Sequence, residues 1–424
     1  MSLDGFKPRS AFLRDMTARG HIYQITDPEG LDDYAASEVP AAYIGFDCTA
    51  PSLHVGHMVQ IMALRRFQQA GGKPIVLMGG GTTKIGDPTD KEKSRPILTV
   101  EEIAANMAGI RRAFESYLRF GNGPTDAIML NNADWLDGLG YIDFLRDYGR
   151  HFTINTMIKQ ETVARRLRNE EPYTFLEFNY MLLQSYDFLE LCRTRACRLQ
   201  MGGSDQWGNI VNGVELCRRV ADAHSFGLTT PLITTASGAK MGKTVSGAVW
   251  LNADMRSPYE YWQFWRNTED ADVGRFLRLF TDVPVEEIAR LEAATGSEIN
   301  AVKVRLADEA TTLLHGAAAA AEARAAAEAV FAGGSTGEGM PTFEVSRDKL
   351  KDGLLISEAL VNAGLCTSKS EARRAIKAAS VRLNAETVTD EGALVRESDL
   401  DADGLARLSM GRKRHARLKA VQEA

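Results

Sequence analysis

The sequence has few of the features that mark secreted, membrane-embedded or disulfide-rich proteins. Its 424 residues contain five cysteines and no Cys-x-x-Cys pair, which excludes a disulfide framework and a zinc knuckle. No apolar run reaches the ~18 residues of a membrane span, and the first residues, MSLDGFKPRS, form no apolar signal core. We therefore expect a soluble cytoplasmic protein with no membrane contact, whose cysteines are small buried side chains.

Positive charge is also scarce. The chain has 50 Lys and Arg against 56 Asp and Glu, a net charge of −6, so a nucleic acid could meet only local basic patches on an acidic body. Residues 368–419 carry 12 Lys and Arg and 8 Asp and Glu, a net charge of +4, which leaves −10 for the rest. The basic patches to consider are therefore this segment and a smaller pair at Arg218-Arg219.

Short apolar runs with β character alternate with helical stretches after a helical lead-in at residues 1–40. This alternation predicts an α/β fold, a Rossmann-like doubly wound parallel sheet, with ligands at the carboxyl ends of the strands. A helix is expected at 53–70, closed by Gly71-Gly72. The candidate strands are 41–46, 75–78, 127–130, 197–201 and 232–235.

The character of the sequence changes at Pro258. Residues 258–332 are helical in pattern, GGSTGEGMP at 333–341 is typical of a linker, and a third segment follows. We predict an α/β domain at 1–257, an α-helical domain at 258–332, a flexible linker at 333–344 and a small α+β domain at 345–424.

Two glycine-containing segments follow predicted strands. In His54-Val55-Gly56-His57 the histidines share one helical face, Gly56 would let a flat base approach the backbone, and the helix N-terminus favours an anion. A metal site would need a third ligand, which is not evident nearby. GGGTTKIGDP at 79–88 fails the dinucleotide spacing but offers Asp87, with Lys91 and Arg95 in the polar run that follows. That run alone would be a solvated charge cluster.

Polar side chains interrupt an apolar helical pattern at 180–189. Tyr180, Gln184 and Asp187 fall on one stripe, where buried polar groups need partners. Those partners are either core groups or a polar ligand, and the pattern alone leaves both open.

Two further segments suit a nucleotide. In Gly202-Gly203-Ser204-Asp205-Gln206, Asp205 could accept hydrogen bonds from a ribose or cap a helix. Lys240-Met241-Gly242-Lys243-Thr244 ends like a P-loop, but Ser237 occupies the position of the first P-loop glycine. Two lysines in a glycine-flanked loop still suit a polyphosphate.

Taken in this order, the segments resemble the tyrosyl-tRNA synthetases of the bacterial type. HVGH is similar to the HIGH signature of class I synthetases and KMGKT to their KMSKS loop, and YIGFDCTAPSLHVGH, NNADWL, YMLLQSYDFL and GGSDQWGNI resemble tyrosine-specific blocks. The similarity runs from about residue 10 to the C-terminus. It implies ATP-dependent activation of L-tyrosine to tyrosyl-adenylate, with release of pyrophosphate, and transfer to the terminal ribose of tRNA-Tyr.

The resemblance implies a role for each matching position. The residues expected to hold tyrosine are Tyr43, Asp87, Tyr180, Gln184, Asp187 and Gln200. Those expected to hold ATP and the adenylate are Gly45, Asp47, His54, Gly56, His57, Gly202, Asp205, Gln206 and Lys243. Those expected to stabilise the reacting phosphates are Thr49, His54, His57, Lys91, Arg95, Lys240, Lys243 and Thr244. Those expected to contact tRNA are Arg218, Arg219, Lys369, Arg373, Arg374, Arg412, Lys413 and Arg414.

The chemistry agrees with this assignment. The carboxylate of the substrate is already a nucleophile, so catalysis needs positioning and charge stabilisation without a nucleophile–base pair. Mg²⁺ would accompany the ATP phosphates without a dedicated protein site, and no zinc is expected. A buried Asp187 and Tyr43 left unpaired by phenylalanine would reject it. The resemblance also implies that 1–257 is the catalytic domain, which includes a connective insertion and the KMGKT loop, and that 258–332 is an anticodon-side domain. It further implies a homodimer with its interface in the insertion around residues 125–190.

The C-terminal segment LLISEALVNAGLCTSKSEARRAIKAASVRLNAETVTD resembles a small RNA-binding module of ribosomal and pseudouridine-synthase proteins. Here Asn384-Ala385 stands where that module usually has Asn-Gly, the pair that favours a type I′ turn. A looser turn, or one of another type, is therefore expected. RNA contact is favoured over a merely solvated basic helix.

Three alternatives remain at this level. A tryptophanyl-tRNA synthetase would share fold and mechanism, but Tyr43 with Asp187 and the RNA module argue against it. A small-molecule adenylyltransferase with an HxGH motif would not need the helical domain or that module. A non-catalytic RNA-binding relative of a synthetase would be expected to carry damaged motifs, whereas HVGH and KMGKT are intact.

Overall fold

The structure is a computed structural model that describes residues 5–89, 98–238, 241–244, 247–331, 341–384, 386–401, 403–411 and 414–421. The helices are α1 Ala11–Ala18, α2 Pro28–Ala35, α3 Met58–Gln69, α4 Val100–Glu115, α5 Ala133–Leu136, α6 Tyr141–Asp147, α7 Ile154–Met157, α8 Glu161–Arg168, α9 Phe175–Arg195, α10 Trp207–Ala221, α11 Pro258–Arg266, α12 Val273–Phe280, α13 Val285–Leu291, α14 Ile299–His315, α15 Ala317–Phe331, α16 Arg347–Asp352, α17 Ile356–Asn362 and α18 Lys369–Lys377. The strands are β1 Gln24–Ile25, β2 Ala41–Phe46, β3 Lys73–Met78, β4 Ile128–Asn131, β5 Leu199–Gly203, β6 Phe226–Thr230, β7 Lys243–Thr244, β8 Gly247–Ala248, β9 Thr342–Ser346, β10 Leu354–Leu355, β11 Val381–Leu383, β12 Glu386–Val388, β13 Leu394–Val395, β14 Leu405–Met410 and β15 Arg414–Val421.

The first six strands, β1 to β6, form one sheet in the order β1-β6-β5-β2-β3-β4. All its pairs are parallel except β1 with β6, and Tyr43 lies opposite both Ile75 and Gln200. The chain builds outward from β2 in one direction through β3 and β4, and in the other through β5 and β6. The predicted doubly wound parallel sheet is confirmed, and the order reverses between β2 and β5, where such folds bind ligands.

Two expectations about strands need correction. Residues 232–235 do not form a strand, and the corresponding strand is β6, which ends at Thr230. Pro231 follows directly and has no N–H to donate to a ladder, so the strand ends before it. The lead-in is also not wholly helical, because β1 pairs antiparallel with β6 between α1 and α2.

The chain divides into two compact units. Unit 1 comprises Met1–Lys243, Trp250–Asn252 and Glu269–Ala294, and unit 2 comprises Thr244–Val249, Ala253–Thr268 and Thr295–Ala424. The region predicted as helical, 258–332, is helical as far as the structure describes it, with α12 and α13 in unit 1 and α11, α14 and α15 in unit 2. The domain boundaries at 257, 332 and 344 stay predictions.

The longest helix of unit 1 within the described residues, α9, packs on α10 and shares an apolar core with the sheet. Its start is fixed by a capping box in which Thr174 and Glu177 satisfy each other's backbone N–H groups, and it ends at Ala196 with φ of +50°. Phe188 of this helix packs against Tyr43 of β2, with ring centroids 5.4 Å apart. The helix is buried along most of its length, so its polar stripe lies inside the unit.

Unit 2 contains helices α11, α14 and α15, which pack on one another, and a small α+β part. The indole of Trp262 is buried and donates to Asp308 Oδ1 over 2.8 Å. The α+β part has a sheet in the order β12-β11-β14-β15-β9 around an apolar core that includes Ile356, Leu360 and Ile376. The predicted small C-terminal α+β fold is therefore confirmed.

The β11–β12 hairpin contains the unusual Asn-Ala pair. Leu383 pairs with Glu386, and Asn384 adopts φ of +54°. Its side chain is held at both ends, since Nδ2 donates to the Asp399 carbonyl over 2.8 Å and Oδ1 accepts from the Arg407 N–H over 2.9 Å. Asparagine tolerates the left-handed region, so Asn384 is well fixed; position 385 lies outside the described residues.

Candidate active site

The carboxyl ends of β2, β3 and β5 bring three polar segments together. Asp47 follows β2 directly, and its Oδ1 accepts a hydrogen bond from Thr82 Oγ1 over 2.9 Å. The Tyr180 hydroxyl lies 3.2 Å from Asp47 Oδ2, and the backbone N–H of Asp87 lies 3.3 Å from the same oxygen. Asp47 thus joins the ends of two strands to the polar stripe of α9.

A second set of hydrogen bonds continues from Asp87. Its Oδ2 accepts from Gln206 Nε2 over 2.8 Å, and Gln206 Oε1 accepts from both Gln184 and Asn209 at 3.2 Å. Asn209 also donates to Gln184 Oε1 over 3.1 Å. The amides are therefore oriented by one another, and Asp87 and Gln184 belong to one network.

Asp187 lies at the closed end of this region. It is 3% exposed and accepts from Asn132 Nδ2 over 2.9 Å and from Trp135 Nε1 over 2.7 Å. Burial outweighs these two donors and raises the pKa of Asp187 to about 7. A neutral or partly charged carboxyl, already oriented by two donors, can bind a further hydroxyl.

Two buried polar atoms nearby lack a partner within the described part of the chain: the Tyr43 hydroxyl and Gln200 Oε1. Burial, followed by the nearby Asp187 charge, raises the pKa of Tyr43 well above its usual range. Because buried polar groups are normally hydrogen-bonded, these atoms are suited to a polar ligand group placed between β2 and α9.

The HVGH segment forms a 3₁₀ turn at Val55–His57 that leads into α3. His54 Nδ1 accepts the Gly56 N–H over 3.1 Å and His57 Nδ1 accepts the His54 N–H over 3.3 Å, with ring centroids 4.1 Å apart. Since a neutral imidazole has one donor nitrogen and one acceptor nitrogen, these contacts assign the proton of each neutral ring to Nε2. Both rings then act as hydrogen-bond donors.

The KMGKT segment approaches this turn closely. A Cβ atom added to Gly242, whose φ is +93°, would lie 2.9 Å from both Gly56 N and His54 Nδ1. One added to Gly56 would lie 2.7 Å from His54 Cε1 and 3.1 Å from the Met241 carbonyl. Both glycines are therefore required for the backbones to meet.

A cavity of about 480 Å³ lies beside the network that contains Tyr180 and Asn209. Tyr180 of α9, Asp205 and Asn209 of α10 line it, and Lys159 and Glu161 line it from the segment at the start of α8. Its size and mixture of aromatic and polar groups suit a small polar ligand.

Comparison with known proteins agrees with this geometry. Residues 36–332 match the family described as tRNA synthetases class I (W and Y), and residues 334–417 match the tyrosine–tRNA ligase SYY-like C-terminal domain. The chain is 58% identical over 413 residues to a tyrosine–tRNA ligase of Caulobacter sp. (strain K31), covering 97% of this chain and 98% of that one. The chain belongs to the class I tyrosyl-tRNA synthetases. A tyrosine–tRNA ligase of Rhodospirillum rubrum is 56% identical over 414 residues, covering 98% and 99% of the two chains.

A solved structure extends the similarity to the fold. This chain matches the crystal structure of the C-terminally truncated mitochondrial tyrosyl-tRNA synthetase of Aspergillus nidulans with a TM-score of 0.67 and 30% sequence identity. The match covers 76% of this chain and 94% of that one.

The structure brings most of the predicted synthetase site together. The hydrogen-bonded network contains Asp47, Asp87, Tyr180, Gln184 and Gln206, and Tyr43 of β2, Asp187 of α9 and Gln200 of β5 are buried. Gly45 and Thr49 are exposed, and Gly202 packs at the end of β5 against Gln206 and Ile210. Lys91, Arg95, Lys240, Arg412 and Lys413 lie outside the described residues, as do the side chains of Lys243 and Thr244.

The predicted tRNA-contacting residues are separate from this site along the chain. Arg218 and Arg219 are exposed on α10 and both pair with Glu215, and Arg218, the larger cause, helps to lower the pKa of that carboxyl to about 2. In the C-terminal part, Lys369 pairs with Glu358 at 3.0 Å and Arg414 with Glu371 at 3.3 Å. Arg373 and Arg374 lie on α18.

The sequence patterns did not point to several residues of this candidate site. Asn132 and Trp135 orient Asp187, and Asn209 orients Gln184. The signal for the first two was the block NNADWL, which was recognised without a role for its side chains; no local pattern singled out Asn209. Thr83 and Lys84 of the glycine-rich segment at 79–88 also have structural contacts: Thr83 Oγ1 accepts the Cys48 N–H over 2.7 Å, and Lys84 pairs with Asp137.

Proposed function

We propose that the chain is a tyrosine–tRNA ligase. It activates L-tyrosine with ATP to tyrosyl-adenylate, releases pyrophosphate and transfers the tyrosyl group to the terminal ribose of tRNA-Tyr, a step of protein biosynthesis. The observation that carries the substrate assignment is the buried Tyr43 hydroxyl, which has no hydrogen-bond partner among the described residues and lies beside the buried Asp187. A phenol hydroxyl can donate to the carboxylate and accept from Tyr43, so tyrosine satisfies both, whereas tryptophan offers only an N–H donor there.

The other end of the tyrosine suits the Asp47–Asp87 network. An ammonium group carries three donors, and Asp87, Tyr180 and Gln184 present acceptor oxygens that their neighbours already orient. Gln200 Oε1 is buried and accepts no hydrogen bond within the part of the chain that the structure describes, which supports its place in the same pocket. These groups would hold the substrate carboxylate toward the HVGH turn.

ATP would then lie along the carboxyl ends of β2 and β5. We assign the adenylate to Gly45, Asp47, Gly56, Gly202, Asp205 and Gln206. His54 and His57, as Nε2–H donors, would stabilise charge that develops on the α-phosphate and the departing pyrophosphate. The residues assigned to the same charge are Thr49, Lys91, Arg95, Lys240, Lys243 and Thr244. Mg²⁺ would enter with the ATP phosphates, which usually supply part of its coordination.

The tRNA would contact exposed basic groups on both units. Arg373 and Arg374 on α18 are the central candidates, with Lys369, Arg414, Arg412 and Lys413, and Arg218 and Arg219 on α10. Several of these are paired with Glu215, Glu358 or Glu371. Surface ion pairs of this kind contribute only ~0–1 kcal/mol, so phosphates can replace the carboxylates at small cost.

We further propose a homodimer in the cytoplasm. Large apolar side chains on α6 to α9 are exposed, among them Ile142 at 72% and Phe175 at 67%, and such side chains in one region favour an intersubunit surface. The five cysteines are free thiols, which suits a reducing compartment. Among the described residues, no helix is both long and apolar enough to cross a membrane.

The test of this function is tyrosine-dependent exchange of pyrophosphate into ATP, followed by charging of tRNA-Tyr. We expect exchange with tyrosine and not with tryptophan. His57→Ala should reduce exchange by about 10²-fold or more because it removes a preorganised donor, with tyrosine affinity unchanged. Exchange driven equally by tryptophan would overturn the substrate assignment, and unchanged exchange by His57→Ala would overturn the role of that residue.

A further inference from the structure

The segment that leads into KMGKT is held by three polar contacts from one short region. The Ala236 N–H donates to Asp272 Oδ2 over 2.7 Å, and the Ser237 hydroxyl donates to Glu269 Oε1 over 2.7 Å. Arg275 donates to the Thr234 carbonyl. These contacts fix the backbone of residues 234–237, which precede Lys240 by three to six positions in the chain.

Asp272 is the buried member of this group. It is 3% exposed, stands directly before α12 and also accepts from Arg275 over 2.6 Å. A carboxylate at this position is favoured by the helix dipole and by the arginine. Its second oxygen is committed to the Ala236 N–H, so Asp272 links the start of α12 to the backbone of residues 234–237.

The other end of α12 is hydrogen-bonded to side chains of α3, the helix that directly follows the HVGH turn. Arg66 of α3 donates to the Thr281 carbonyl and pairs with Asp282, and Arg65 pairs with the same carboxylate. Arg19 adds hydrogen bonds to the Thr281 carbonyl at 3.3 Å and the Val283 carbonyl at 3.1 Å. Buried guanidinium groups thus satisfy the carbonyls that follow the last turn of α12.

We propose that Asp272 is a positioning residue for the adenylation reaction. We also propose that α12 connects the two phosphate-binding signatures, KMGKT and HVGH, and fixes their relative placement. One end of this eight-residue helix holds residues 234–237 before the KMGKT lysines, and the other holds α3, whose N-terminus is the HVGH turn. Both signatures act on the same phosphates, so their relative placement sets how well charge is stabilised in the transition state. This inference rests on the proposed function.

The experiment compares Asp272→Ala with Asp272→Asn in tyrosine-dependent pyrophosphate exchange. Alanine removes the acceptor for the Ala236 N–H, whereas asparagine keeps a carbonyl oxygen there. We expect Asp272→Ala to lower kcat/KM for ATP by about 10-fold to 100-fold, the loss that a small misplacement of catalytic groups produces. Asp272→Asn should recover most of that loss. Tyrosine affinity, measured without ATP, should not change in either variant.

Two further variants distinguish a loss of kcat/KM caused by misplaced groups from one caused by impaired folding. Arg275→Ala changes an exposed side chain of the same anchor and should lower kcat/KM for ATP in the same direction by a smaller factor. Glu286→Gln, an exposed acid on α13, is the matched control and should behave like the wild type. If Asp272→Ala lowers the melting temperature but leaves kcat/KM for ATP unchanged, the positioning role is wrong. If the wild type shows no exchange at all, the proposed function fails instead.

Discussion

The protonation of Asp187 is the clearest consequence of burial at the level of a single residue. Its carboxyl has a pKa of about 7 in the folded chain against a usual 3.8. At pH values between 3.8 and 7, Asp187 is therefore mostly protonated in the folded state and mostly ionised in the unfolded state. The resulting stabilisation is fully present below pH 3.8 and is lost as the pH rises through 7.

This loss of stability with rising pH should be absent from Asp187→Asn, because an asparagine side chain cannot titrate. In the absence of tyrosine, the free energy of unfolding of the wild type, relative to that of the variant, should fall by about 2–3 kcal/mol between roughly pH 5 and pH 8. Urea unfolding curves of both proteins across that range measure it. A difference that stays constant with pH would show that Asp187 titrates near its usual value when folded.

The site residues were predictable from sequence to the extent that their segments carry local signals. Tyr180, Gln184 and Asp187 were placed on one helical stripe by their spacing, and α9 has them there. Whether that stripe was a core network or a ligand site was left open. The structure shows a network of hydrogen bonds, in which Gln206 and Asn209 hold Gln184. A ligand role for the stripe stays a proposal, supported by the Tyr43 hydroxyl of β2, which has no partner among the described residues.

At the level of elements, the close approach of KMGKT to HVGH makes Gly242 a sensitive position. Gly242→Ala would strain a backbone with φ of +93° and place Cβ 2.9 Å from Gly56 N and His54 Nδ1. We expect kcat for pyrophosphate exchange to fall at least about tenfold, because the HVGH turn must shift from its catalytic geometry.

Gly238→Ala provides the matched control. Gly238 has φ of +85°, but an added Cβ would meet nothing within 4 Å. This variant carries a similar backbone strain of roughly 1–2 kcal/mol without the collision, and its exchange rate should stay close to that of the wild type. Equal losses in the two variants would mean that strain in the loop, and not contact with HVGH, limits the reaction.

Element boundaries depended on residues that act locally. Strand β2 was predicted with the bounds that the structure has, since a short apolar run there ends at a charged residue. The strand expected at 232–235 was misplaced because apolar content alone suggested it, while the proline before it ends β6. The two-residue strand β1 is too short for any periodicity to reveal.

At the scale of the whole molecule, the exposed apolar side chains on α6 to α9 predict the oligomeric state. Phe175→Glu or Ile142→Glu should convert a dimer into a monomer, because each places a charge in an otherwise apolar contact. Light scattering coupled to size-exclusion chromatography gives the mass. Val100→Glu changes a side chain that is 63% exposed at the start of α4, outside residues 125–190, and should leave the mass unchanged. A wild-type monomer would contradict the proposed dimer.

The sequence by itself determined the alternation of strands and helices apart from β1 and the end of β6, the separation of an acidic body from a basic C-terminal segment, and the chemical groups available for the proposed reaction. These follow from local causes: the periodicity of apolar residues, the conformational freedom of glycine, and the type of side chain at a motif position. The resemblance to the synthetase family likewise depended on short segments read in order.

Only the tertiary structure decided which groups meet. Tyr180 reaches Asp47 across 133 positions of sequence, Asn132 orients Asp187, and Asp272 holds the segment before KMGKT. The order of the parallel strands brings these residues together, and α12 returns to unit 1 after α11, which belongs to unit 2. Local patterns do not specify such pairings, because a hydrogen bond between distant residues depends on how the intervening chain crosses the sheet.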